Sequence, residues 1–114
     1  MQFLCLAYGD KQKMSRLTKA EFEALVAQCK AHDDELHKSG HFVSSNSLEW
    51  DVATVRARNG KQVVTDGPFV EAKEEILGFA LVEVSSHEEA LEVSRRFRRI
   101  VGDGDSVLHR VMGP

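Results

Sequence analysis

The sequence predicts an α+β fold with the plan βαββαβ and one additional β-hairpin, and three observations predict it. Residues 2–8 and 76–84 are near-continuous apolar runs of strand length, as expected of central strands buried on both faces. Thr18 with Glu21, and Ser86 with Glu89, each open an amphipathic segment with the spacing of a capping box, in which a hydroxyl and a carboxylate satisfy free backbone N–H groups at a helix start. Asn59-Gly60 stands between two short strand-like runs, and these residue types accept the positive φ angles that a two-residue hairpin turn demands.

The first strand, residues 2–8, ends at Gly9-Asp10, and the polar stretch Lys11 to Leu17 reads as a connection. A helix opening at Thr18 carries Phe22, Leu25, Val26, Cys29, His32 and Leu36 along one stripe, and Gly40 ends it. Residues 42–48 and 52–58 read as two strands joined by the turn-like Glu49-Trp50-Asp51, and residues 61–65 return antiparallel after Asn59-Gly60. The turn Asp66-Gly67-Pro68-Phe69 and the charged segment Glu71 to Glu75 lead into the run 76–84, placed at the middle of the sheet. A second helix follows Ser86, with Ala90, Leu91, Ser94, Phe97 and Val101 inward, and Gly102-Asp103-Gly104 stops it. Residues 106–111 supply the last strand.

With 114 residues, 42% of them hydrophobic and 29% charged, residues 1–114 are expected to form one domain with one core. The net charge of −3 gives no field that attracts nucleic acid or an anionic membrane, and the apolar N-terminal segment is too short to cross a bilayer. Neither partner is expected. Cys5 and Cys29 lie in apolar patterns without CxxC spacing and read as core residues of a reducing, cytoplasmic protein. His37 and His41 are four apart, but Gly40 interrupts the helix between them and no third ligand completes a zinc set. Arg95, Arg96, Arg98 and Arg99 suit the negative end of a helix dipole rather than a phosphate-binding patch. No nucleotide-binding loop or nucleophile elbow is present, so no metal or cofactor is expected. Both helices of such a plan cover one face of the sheet, and a symmetric homodimer with the two bare faces together is the economical way to cover the other.

The stretch Val63 to Glu74, with Asp66-Gly67-Pro68-Phe69 at its centre and Leu77-Gly78-Phe79 after it, closely resembles the signature of the YCII-related domain family in its DGPF branch. Tyr8-Gly9-Asp10, Thr54-Val55-Arg56 and the closing strand with Arg110 also match, so the resemblance spans most of the chain. It implies a dimeric α/β barrel of ferredoxin-like topology, in agreement with the plan read from periodicity. It also implies a proposed His/Asp pair in a pocket, with Asp66 matching the aspartate. The expected histidine at the start of the first helix is absent, since residues 16–19 read Arg-Leu-Thr-Lys.

Asp66 is thus the first catalytic candidate, either as a general acid or base in a cleft or as a turn residue bonded to backbone N–H groups. His32, on the apolar stripe, and His109, expected to point inward from the last strand, are its candidate partners. Gly67, Pro68 and Phe69 read as architecture first, while Lys73, Glu74 and Arg110 are ligand-binding candidates through the family pattern. Two function classes stand open. In one, a small enzyme or binder holds a small polar organic ligand and Asp66 moves a proton; in the other, a non-catalytic dimeric module of regulatory or accessory role uses the turn as a latch.

Overall fold

The computed structural model describes residues 1–49, 51–68, 74–100 and 104–113, side chains of 98–100 excepted. Strand β1 (Gln2–Asp10) runs directly into a short helix α1 (Lys11–Ser15), which the polar composition had marked only as a connection. Its cause is local: the Asp10 carboxylate accepts from the backbone N–H groups of Gln12 and Lys13 and caps the turn. Helix α2 (Lys19–Ser39) opens with the complete Thr18/Glu21 box and closes on Gly40, whose φ of 79° is the left-handed conformation that a glycine accepts at a helix end.

Strand β2 (Phe42–Ser47) follows, then the hairpin of β3 (Ala53–Arg58) and β4 (Lys61–Asp66). At its tip Asn59 and Gly60 have φ of 53° and 76°, as the expected two-residue turn requires. Strand β5 (Glu74–Glu83) begins two residues earlier than its apolar run, because Glu74 and Glu75 pair with Asp10 and Gly9. Helix α3 (His87–Ile100) and strand β6 (Asp105–Arg110) complete the order. The box at α3 is half made. Ser86 accepts from the N–H of Glu89, but the Glu89 carboxylate turns instead to the Ser85 hydroxyl and to His41 at 2.7 Å.

β2, β5, β1 and β6 form one four-stranded antiparallel sheet in that order. Helix α2 joins two strands that flank β5, and α3 joins two that flank β1, so two split βαβ units interleave in the ferredoxin-like manner. Phe3, Cys5, Ala80 and Val82 of the central strands meet Leu36 of α2 and Ala90 and Val93 of α3, which places both helices on one face. The central strands are not buried on both sides as their composition suggested. Along β1 buried and half-buried residues alternate, and Leu4, Leu6 and Tyr8 share the opposite face with Leu81 of β5 and Val107 of β6. Among the described residues, no helix covers that face.

The β3–β4 hairpin is a separate two-stranded sheet that stands clear of the rest. Val55 and Val64, directly paired, are 60% and 67% exposed. A lone hairpin is marginal in water, so this one carries apolar surface that the chain itself does not cover.

Candidate functional site

Helix α2 is packed at one end only. Leu36 and His32 near its C-terminus are buried, whereas Phe22 and Val26, on the same stripe, are 50% and 51% exposed. The sheet explains the difference. Where Phe3, Val82 and Phe42 face the helices the layer is filled, but further along the paired positions are Ala7, Gly78 and Ser47, with Ser45 beside them. Ala7, Gly78 and Ser47 are too short to fill the layer, while Ser45 meets the Asp33 side chain of α2.

A β-bulge sharpens the effect. Ala7 pairs with Gly78 and Tyr8 with Ile76, which leaves Leu77 unopposed and brings its side chain against Gly9 on the helix side of the sheet. Gly78 allows close strand approach, since a Cβ there would lie 2.9 Å from the Asn46 carbonyl oxygen. The result is a cavity of about 480 Å³ between α2 and the sheet. Met14, Phe22, Leu25, Val26, Cys29 and Phe97 form its apolar wall, with Asp33, Glu49 and serines of β2 as the polar part.

His32 is the unusual residue of this site. It is only 5% exposed, and both ring nitrogens lack a hydrogen-bond partner. Its ring lies 5.9 Å from that of Phe97. A buried polar group without a partner is uncommon and costs stability, so an unfilled need is built into the wall of the cavity. The adjacent Asp33 does not meet that need, because its Oδ1 accepts from the Ser45 hydroxyl at 3.1 Å. Burial holds the His32 pKa below its ordinary value near 6.5; the carboxylates of Asp33 and Glu35 oppose the shift, and Arg96 adds to it. Cys29, half-buried one turn before it, is pushed up by burial and by Asp33, so the thiol stays protonated. Cys5, in the core, is pushed up to about 11 by burial.

The histidine shift fixes a sign. In the unfolded chain His32 takes up a proton as pH falls through about 6.5, while the folded chain resists it, so the unfolded state binds more protons below that pH. Its contribution to stability is therefore undiminished above about pH 6.5 and declines as pH drops below it. Urea unfolding at about pH 7.5 and about pH 5.5 should show a loss in the wild type that His32→Leu does not share.

The other sequence candidates lie elsewhere. Asp66 is the exposed last residue of β4, opposite Ala53, and does not line the cavity. Among the described residues its carboxylate has no hydrogen bond, and none joins it to His32 or His109. The turn is held by Gly67 instead: its N–H donates to the Val52 carbonyl at 2.6 Å and its own carbonyl accepts from the Thr54 hydroxyl at 2.7 Å. Its φ of 100° favours glycine. Pro68 is exposed, and Phe69 and Lys73 lie outside the described residues.

His109 does not point inward. It pairs with Leu4 on the uncovered face of edge strand β6 and is exposed, because Leu108 is the residue of that strand that packs on the core. Arg110, exposed on the other face, borders a shallow depression with Met1 and Glu83. Glu74 is half-buried opposite Asp10. His37 stacks on Phe42 at 3.8 Å, apart from His41. The sequence located His32 but not the void beside it; the legible signal was the set of small residues at the helix-facing positions 7, 45, 47 and 78.

Among the described residues, no helix is long and apolar enough to cross a membrane. The model of the YCII-related domain matches residues 1–102. An uncharacterised protein of Rhizobium meliloti (strain 1021) is 33% identical over 97 residues, a match covering 83% of this chain and 78% of that protein.

Proposed function

The chain belongs to the YCII-related domain family, and from that premise we propose that it is a small-molecule-binding domain whose site is the cavity under α2, with His32 as the group that recognises the ligand. The observation that carries this reading is the buried imidazole with two unpartnered nitrogens on the wall of a largely apolar cavity. An imidazole kept neutral by burial is also a group that can take a proton in general-base catalysis, so the same site suits binding or turnover. Asp66 is assigned to architecture: the Gly67 bonds to Val52 and Thr54 support the turn as a latch that closes the hairpin. Two free thiols suit a reducing compartment such as the cytoplasm.

The same reading includes a homodimer. Leu4, Leu6, Leu81 and Val107 lie on a sheet face that no described helix covers, and the hairpin exposes Val55 and Val64; a C2 pair covers such surfaces with a single self-complementary contact.

Binding of polar fragments followed by NMR tests the assignment. His32→Leu should weaken them about tenfold, the effect of one lost buried hydrogen bond, while Asp66→Asn leaves them within about twofold. The opposite pattern would move the site to the hairpin.

A further inference from the structure

Resting on the cavity reading above, we propose that the site selects a compact, mostly apolar molecule carrying one hydroxyl group, and turns away anions. The selectivity follows from what surrounds the two nitrogens of His32. A neutral imidazole offers one N–H and one lone pair, and a hydroxyl, which both donates and accepts, can answer either. Around it the ligand meets apolar and aromatic groups, Leu25, Val26 and Phe97 among them, which favour a ring or branched hydrocarbon body.

Negative charge is disfavoured. Among the described residues that line the cavity there is no lysine or arginine, whereas Asp33 and Glu49 both do. Arg96 acts on His32 electrostatically but does not line the space, and Glu35 opposes it. A carboxylate or phosphate would therefore leave water without a paired cation and beside two like charges. Burial of His32 keeps its ring unprotonated at neutral pH, so the histidine does not itself become the missing cation.

Three probes with one ring and different heads test this: benzyl alcohol, toluene and benzoate, each titrated into the uniformly labelled protein at neutral pH and followed by amide shifts. Benzyl alcohol should bind about tenfold more tightly than toluene and at least about tenfold more tightly than benzoate, with the shifts centred on Ala7, Cys29, His32 and Gly78. His32→Leu should abolish the advantage of the alcohol while leaving toluene bound. Benzoate binding at these residues as tightly as the alcohol would overturn the selectivity and leave the cavity reading standing. Failure of all three probes to shift these residues would overturn both.

Discussion

Gly78→Leu is expected to abolish ligand binding at the cavity and to destabilise the fold by about 1–3 kcal/mol. Two parts of one geometry cause this. The first carbon of any side chain at this position would lie 2.9 Å from the carbonyl oxygen of Asn46 and 3.4 Å from the Cα of Ser47, both backbone atoms of the paired strand β2. Strand β2 must move away from β5 to admit it. The rest of the leucine then extends from a cavity-lining position toward α2 and occupies the volume a ligand would take. Gly78→Ala should show the strand displacement with little filling, so comparing the two variants separates lost stability from lost volume. Thermal unfolding is expected to fall by roughly 5–15 °C in the leucine variant. Unchanged binding of cavity ligands by a folded leucine variant would place the ligand elsewhere.

Leu6→Glu is expected to convert the proposed homodimer to monomer, raising the dissociation constant by at least about a thousandfold. Leu6 lies on the face opposite the helices, on a central strand, between Phe79 of β5 and Val107 of β6. A symmetric contact through that face buries the substitution twice, and each unpaired carboxylate taken from water costs several kcal/mol. In the separate chain the same side chain is only half-buried, so the variant should remain folded. Sedimentation or size exclusion at micromolar concentration reads the outcome; a wild type that is already monomeric there would remove the dimer from the account.

Much of the fold was legible because its signals are local. Thr18 and Glu21 close a capping box with one another, Asn59 and Gly60 make their turn without outside help, and Gly40 terminates α2 in its own conformation. Where a signal depends on partners, the sequence reading failed by degrees. Glu89 has the right spacing to cap α3, yet its carboxylate is drawn to Ser85 and His41, the latter 48 positions away in the chain. The apolar run of β5 suggested burial on both faces, whereas among the described residues only its helix-facing positions are fully buried.

The site was the least legible part for the same reason. A void is a property of what several strands fail to supply at one place, and Ala7, Ser47 and Gly78 come together only through the register of β1, β2 and β5. The stripe on α2 marked His32 as inward, and that was correct. Asp66 drew attention because its turn is distinctive, but the distinctive chemistry of that turn lies in the backbone of Gly67 and the hydroxyl of Thr54. A motif can identify a family through an architectural need while the cavity forms elsewhere.

A crystallographic fragment screen puts the central claim to its most direct test. Bound fragments should appear between α2 and the sheet, over Ala7 and Gly78, with a polar atom within hydrogen-bond distance of a ring nitrogen of His32. Fragments gathered on the hairpin around Asp66, with the space beside His32 empty across the screen, would contradict it.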